Sequence, residues 1–475
     1  MADALPSLGS RYQQPDDSFS QLITAGGDER LDVRSQLRNK YYINSLDGQR
    51  VFHRASCTCS PLSLRGRVAA EQLYGQLSDG AFERQRRTQV QRIKQLLNMP
   101  GCDRFDVFFA PSGSDLCYYP LLFSRLIYPD RPLFNVITCP EELGSGSLLA
   151  FQGRYYCSRN QFGEPVNQHE SLDPRLEIST LTFPTRDSQG FISDHRQQIE
   201  DAIHAKYVTH AVIANIVIGS KSGIENNTSM LATAPEDVLW TADLCQFRAS
   251  RSLINGLIGM NACVMLTGSK FYHAPPFCGI LLVPKTLTAR FGNPRQELVE
   301  PFGSIFAATD IPDTLPDLQA CLPDYRNYGL LLRWEAALAE MDAFASLDDY
   351  AAREQIRRWN AHVLRAMAAN PAFELMPGQE ETNKTIISFR LKSGSAAIDY
   401  GALTNIYHRV CTQPHNGLRN ADQVLIGQPV NYGDRAFSRV ALSSVDVVDF
   451  VRSGPDYQND NRLIEILAAH ARGET

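Results

Sequence analysis

After Gly101 the chain repeatedly alternates short apolar runs with stretches of helix or loop length, and this alternation constrains the fold more than any other feature. Residues 106–110, 133–138, 210–218, 239–243, 262–267 and 279–283 are rich in Val, Ile, Leu and Phe, and they are too short to be buried helices. They read as strands covered on both faces. Residues 116–126, between the first two, read as a helix. Strands separated by helical crossovers pair in parallel, so residues 70–312 are expected to form an α/β domain with a mostly parallel sheet between layers of helices.

The flanking text has a different character. Residues 1–40 show little periodicity and read as a loosely ordered arm, with residues 1–69 expected to add to a smaller domain. Residues 67–98 read as helical. They carry a basic cluster, Arg84, Arg86, Arg87, Arg92 and Lys94, interleaved with Val90, Ile93, Leu96 and Leu97. That spacing fits a solvated face opposite an apolar stripe better than a nucleic-acid surface. Residues 253–266 read as a buried helix running into a strand. Beyond Pro312, residues 328–345 and 351–369 are helical, alternation appears at 385–391 and 438–442, and helices follow at 400–410 and 462–471. Residues 313–475 are therefore expected to be a smaller α+β domain.

Composition narrows the function classes. Lys and Arg total 46 against 52 Asp and Glu, a formal charge of −6, which argues against a dedicated nucleic-acid binder. No apolar run is long enough to span a bilayer, and the polar first residues lack the apolar core of a signal peptide, so a cytoplasmic location with no membrane partner is expected. The 11 cysteines are scattered; only Cys57 and Cys59 are close, and no CxxC pair begins a metal site. Reduced thiols and no bound metal are the expectation.

Three spots carry chemistry. Ser112-Gly113-Ser114 follows a strand and opens a helix, where free N–H groups and hydroxyls can hold a phosphate, or where a serine simply caps a turn. It is neither a P-loop nor a GxGxxG turn. Asp243, in Asp243-Leu-Cys-Gln246, ends an apolar strand; it is either a functional carboxylate in need of a cationic partner or a helix cap. Lys270, in Thr267-Gly-Ser-Lys270, also ends a strand. It is either a partly desolvated amine poised as a nucleophile or a lysine whose ammonium reaches solvent.

In this order, phosphate loop, strand-end Asp and then Lys, the chain resembles the fold-type-I pyridoxal-phosphate enzymes, the aspartate-aminotransferase superfamily. It is most similar to the branch of class V aminotransferases and cysteine desulfurases. The resemblance implies a seven-stranded sheet, pyridoxal 5'-phosphate as cofactor, a Schiff base on Lys270, Asp243 on the pyridinium nitrogen and Gln246 on the phenolic oxygen. It also implies that Ser112, Gly113, Ser114 and Thr267 hold the phosphate, that Asn215 faces cofactor and substrate, and that Arg439 binds the substrate α-carboxylate. Lys221, in a second Gly-Ser-Lys, precedes Asp243 and is expected at the rim. Ser304 is expected to reach a neighbouring subunit's phosphate.

Three departures stand out. Ser269 replaces the branch's His, residues 139–145 offer no aromatic to stack on the ring, and residues 426–430 lack the desulfurase Cys, with Cys411 at the end of a helix instead. A persulfide mechanism is thereby disfavoured. The implied function is a pyridoxal-phosphate enzyme acting on an amino acid, a small-molecule substrate, as a homodimer, with transamination the first expectation. Elimination, replacement or carbon–carbon bond formation is the alternative, and an inactive scaffold of the same fold is a third.

Overall fold

The protein is described by a computed structural model covering residues 18–33, 38–44, 50–56, 60–78, 80–187, 190–379, 382–432 and 435–474. Cys57 and Cys59 lie outside the described residues, as does most of the expected N-terminal arm.

Seven strands form the central sheet: β2 (Phe105–Ala110), β3 (Leu133–Thr138), β4 (Ile178–Phe183), β5 (Ala211–Val217), β6 (Leu239–Asp243), β7 (Cys263–Thr267) and β8 (Gly279–Pro284). Their order is β2-β8-β7-β6-β5-β3-β4. The pairs among β4, β3, β5, β6 and β7 are parallel, and β8 runs antiparallel to both its neighbours. All of these strands except β4 are buried along their whole length, as expected where helices cover both faces. The expected mostly parallel seven-stranded sheet is thus observed. One core cluster packs on each face, the first around Trp240, Trp334 and Phe109, the second around Phe108, Tyr119 and Phe306.

Strand β4 was not legible in the sequence. At the sheet edge, Ser179, Thr180 and Thr182 alternate with Ile178 and Leu181, so the strand presents no continuous apolar run. The helix expected over 67–98 is two helices, Leu64–Tyr74 and Ala81–Leu97, separated where Gly80 adopts a left-handed conformation at φ 75°. The helical stretch at 253–266 resolves as expected into helix Arg251–Gly259, capped by the Ser250 hydroxyl on Leu253 N, followed by β7.

The smaller sheet is antiparallel, built from β9 (Phe373–Leu375), β10 (Ile386–Ser393), β11 (Ala396–Ala397), β13 (Val430–Tyr432) and β14 (Arg435–Ala441). Strand β12 (Gln423–Ile426) pairs in parallel with β1 (Val51–Arg54), so N-terminal chain joins the C-terminal layer. Leu31, Tyr41, Ile43 and Ala55 accordingly share a core with β10, β12 and β14. The arm is also more ordered than its sequence suggests. Phe19–Ile23 forms a helix with a Ser18–Gln21 capping box, and Glu29–Leu31 a single 3-10 turn. Among the described residues no helix is long and apolar enough to cross a membrane.

Candidate active site

Strands β6 and β7 end side by side, and the loops after them, after β2 and after β5 open one cavity at the carboxyl edge of the sheet, roofed by the smaller layer. Its walls include Ser112, Gly113, Ser114, Asp243, Gln246, Thr267, Lys270 and Arg439. The residues expected to act together therefore converge from four separate parts of the chain. Asn215 does not. It is buried inside β5, two residues short of Val217, which does line the cavity, and its Nδ2 donates to Thr241 Oγ1 at 2.9 Å. Its position ties β5 to β6 beneath the cavity floor.

Lys270 follows β7 on a turn held from the N-terminal side, where the Ser60 hydroxyl donates to the carbonyl of Ser269 at 2.9 Å. Its side chain is partly buried, and among the described residues its Nζ makes no hydrogen bond or ion pair. Three residues on, His273 Nε2 lies 2.8 Å from His53 Nδ1 on β1, and burial pushes His273 down to about 4, so the His273 imidazole is neutral. Asp243 is 8% exposed and accepts from Cys245 N at 2.9 Å; among the described residues no cation pairs with it. Gln246 Oε1 accepts from Arg248 Nε at 3.3 Å, which leaves its NH2 end as the group available to a ligand.

At the phosphate-type loop, a Cβ on Gly113 would lie 2.9 Å from Thr267 Cγ2 and 3.1 Å from Cys245 Sγ, so only glycine lets the loop approach β7 this closely. The Ser112 hydroxyl donates to Asp115 Oδ2 at 2.8 Å, and Ser114 Oγ lies 3.4 Å from Ser147 Oγ. The Thr267 hydroxyl donates to the carbonyl of Cys245 at 2.7 Å and is therefore turned onto main chain.

Arg439 is 1% exposed on β14. Its Nε donates to Ser56 Oγ at 2.6 Å and its Nη1 to the carbonyl of Gln428 at 2.5 Å. Neither partner is an acid, so among the described residues its charge has no neutralising carboxylate. An exposed salt bridge on an edge strand, the plain alternative for this residue, is not what the structure has. Lys221 lines the rim and donates to the carbonyl of Glu141 at 3.2 Å. Ser304 lies away from the cavity, its Oγ 2.8 Å from the Tyr155 hydroxyl.

Several wall residues carried no usable sign in the sequence. Arg30 comes from the N-terminal arm. Its Nε and Nη2 hold Asp28 at 2.7 and 2.6 Å, its Nη2 also reaches Ser112 Oγ at 3.2 Å, and its guanidinium lies 4.2 Å from the Phe277 ring centroid. Burial works against the Asp28 carboxylate, but Arg30 beside it holds it below its ordinary value. Asp115 has the opposite balance: burial and then the charge of Asp28 push it up to about 6. Glu142, fully buried, accepts from Ser222 N at 2.7 Å and from the Tyr432 hydroxyl at 2.6 Å, with Arg186 3.7 Å away, and so knits the loop after β3 to the smaller layer. Cys245 is a wall cysteine whose thiol burial, and then Asp243, push up, so it stays protonated. In place of an aromatic cover the loop after β3 presents Leu143, while Tyr41 and Phe277 stand elsewhere in the wall. Cys411 is buried in helix Tyr400–Thr412, away from the cavity.

With Glu142 held by its own partners, the cavity presents Lys270, Lys221 and Arg439 against Asp243, a field that favours an anionic occupant.

No family profile matches the sequence, and no curated protein matches it in sequence. Solved structures do match in fold. A phosphoserine aminotransferase, SerC, from Cytophaga hutchinsonii superposes with a TM-score of 0.54 at 14% identity, over 88% of this chain and 98% of that one. A NifS-like protein from Rickettsia africae gives 0.54 at 12% identity, over 89% and 99%. Oryza sativa TDC, solved with PLP, gives 0.51 at 14% identity, over 88% and 83%. The chain shares the fold of these proteins, and the resemblance read from its residues holds at the level of fold.

Proposed function

We propose that the protein is a pyridoxal-phosphate-dependent enzyme acting on an amino acid, and that it transfers the amino group. The observation that carries this reading is the convergence of Lys270, Asp243 and Arg439, each without an oppositely charged partner among the described residues, on one cavity beside the Ser112–Ser114 loop. Uncompensated buried charges are costly, and each of these would be satisfied by one part of the same ligand pair.

The residues fit the cofactor. Ser112, Gly113 and Ser114 would hold its phosphate, with Arg30 adding positive charge from behind Ser112, and the bare Gly113 keeps the loop close to β7. Asp243 would accept from the ring nitrogen and keep it protonated, and the Gln246 NH2 would donate to the ring oxygen. Bound pyridoxal phosphate supplies an electron sink for a bond broken at the amino acid's α carbon. The chain's own part is then to hold and move protons. Lys270, at the end of β7, is the amine that would take the α proton and return it elsewhere. Arg439, held by Ser56 and Gln428, would fix the α-carboxylate through charge-assisted hydrogen bonds and so set which α bond faces the sink. The smaller layer over the cavity would exclude water. A homodimer in the cytoplasm belongs to the same proposal.

A lyase or carbon–carbon bond-forming reading is favoured by two features, Leu143 where an aromatic cover would be expected and Ser269 in place of His beside Lys270. The experiment that separates the two incubates the protein, pyridoxal phosphate and single amino acids with and without a 2-oxo acid, and follows products by mass spectrometry. Transamination gives a new amino acid only when the 2-oxo acid is present. Ammonia or a shortened product without it supports the lyase, and no product with any amino acid contradicts both.

A further inference from the structure

Arg248 lies two residues beyond Gln246 and is not itself part of the cavity wall. Its Nε donates to Gln246 Oε1 at 3.3 Å, and its Nη1 donates to Thr385 Oγ1 at 2.8 Å and to the carbonyl of Leu442 at 2.5 Å. Its guanidinium also lies 5.1 Å from the ring centroid of Phe271, the residue after Lys270. Thr385 directly precedes β10, and Leu442 directly follows β14, the strand of Arg439. One side chain thus ties the segment after β6 to the turn of Lys270 and to the smaller layer.

This cation has no ion pair among the described residues, and its Nη2 is buried without a hydrogen-bond partner. Burial pulls Arg248 down to about 9, while the charges of Asp446 and Arg439 act on it in opposite directions. It therefore stays charged near neutral pH, beside a His273 that is neutral there. An unpaired charge in such a place is costly if its only task is packing. The Nη1 bonds account for its hold on the smaller layer, but not for the Nε–H aimed at Gln246.

Gln246 is 3% exposed and lines the cavity, and apart from Arg248 its amide has no hydrogen-bond partner among the described residues. A glutamine amide can turn either end to a ligand, but only its NH2 end serves an oxygen acceptor. A guanidinium carries donors alone, so the amide end that meets Arg248 is the oxygen. The NH2 end is then left for the cavity, and the cation behind the amide makes that NH2 a stronger donor. We propose that Arg248 is a positioning residue, which sets the direction of the Gln246 amide and strengthens its hydrogen bond to the cofactor's ring oxygen. This role rests on the pyridoxal-phosphate reading of the cavity and adds what orients the amide there.

The test is calorimetric titration of pyridoxamine 5'-phosphate, and of its analogue lacking the ring hydroxyl, into the full chain. Neither probe can form a Schiff base with a lysine, so the ratio of the two affinities reads the contact to the ring oxygen. The parent is expected to favour pyridoxamine phosphate by about tenfold or more, the scale of a charge-assisted hydrogen bond. Arg248→Met should lose most of that preference while still binding the analogue as the parent does, a pattern that a merely loosened fold would not give. In a Gln246→Leu background, Arg248→Met should change the ratio no further. Should Arg248→Met bind neither probe, Arg248→Lys, which keeps the charge but not the Nε–H, is expected to show the reduced ratio. A parent that binds neither probe would contradict the cofactor reading, and this role with it. Equal binding of both probes by the parent, or a full preference kept in the Arg248 variants, would overturn the role alone. So would a further drop of the ratio in the Gln246→Leu background, or loss of both probes alike in both variants.

Discussion

Lys270 stands in a cavity wall, unpaired among the described residues, on a turn fixed by Ser60. Its amine is available to chemistry and contributes little to the fold. Lys270→Ala should therefore lower turnover by about a thousandfold or more, the scale of losing a positioned acid–base group, while the circular dichroism melt stays within about 0.5 kcal/mol of the parent. A variant that kept its rate would remove Lys270 from the mechanism. Arg439→Lys should raise KM for the amino acid by about tenfold or more with a smaller change in kcat, because an ammonium cannot reproduce the two-pronged contact. An unchanged KM would return Arg439 to a structural role. At Asp115 the prediction concerns pH. Its carboxyl is raised from 3.8 to about 6, so the folded state favours the protonated form. The stability this gives is present in full below about 4 and is lost as pH rises through about 6, a change of about 3 kcal/mol at most. Asp115→Asn should accordingly match the parent at pH 4 and exceed it at pH 8, as read from urea midpoints; a constant difference across that range would contradict the assignment. Lys270, Asp243, Gln246 and Arg439 were legible because each sits at a strand end or in a short motif. Arg30 and Glu142 were not, since their neighbours in the cavity, Ser112 and Tyr432, lie far along the chain.

Among the elements, helix Tyr328–Ala345 does the most to join the parts of the molecule. It packs on helix Leu64–Tyr74, on helix Ala81–Leu97 and on helix Ser444–Ser453. From its middle, Arg333, fully buried, donates to the carbonyls of Phe277, Ile23 and Ala25 at 2.7, 2.9 and 2.7 Å. Burial pulls Arg333 down to about 10, yet no carboxylate pairs with it among the described residues; the main-chain oxygens of the arm and of the loop after Lys270 are its partners. Arg333→Met keeps the volume but leaves those carbonyls unsatisfied, so it should cost about 2–4 kcal/mol in urea unfolding with an unchanged m value. A loss below about 0.5 kcal/mol would mean the arm is held by other contacts. The helix itself was plain in the sequence, because residues 328–345 contain few breakers. What periodicity could not reveal was the role of Arg333, which looks like a surface residue, or the break at Gly80, which interrupts an otherwise continuous helical pattern. The fully buried strands were readable as apolar runs, whereas β4, half exposed and rich in Ser and Thr, was not.

At the scale of the whole molecule the two ends of the chain are interlocked. β1 pairs with β12, Arg54 binds both Asp446 and Asp460, and Arg439 on β14 donates to Ser56 just after β1. A chain beginning at Leu64 would lose β1, Ser56 and Arg30 together. It should show early proteolytic cleavage within 373–441 and no cooperative melt of the smaller sheet; a protease-resistant, cooperatively melting truncation would contradict this coupling. The parallel sheet and the site at its carboxyl edge followed from the order of apolar runs, but this coupling of arm and C-terminal layer did not, because pairing across most of the chain length leaves no local pattern. These long-range contacts assemble the cavity in which, as we propose, Lys270 is the amine that meets pyridoxal phosphate. The most direct measurement is the visible absorption spectrum of the purified protein with added pyridoxal phosphate, before and after borohydride, followed by peptide mapping. A visible band that borohydride bleaches is expected, with the cofactor mass fixed on the peptide that contains Lys270. A protein that stays colourless, or a label found on Lys221 or another lysine, would contradict it.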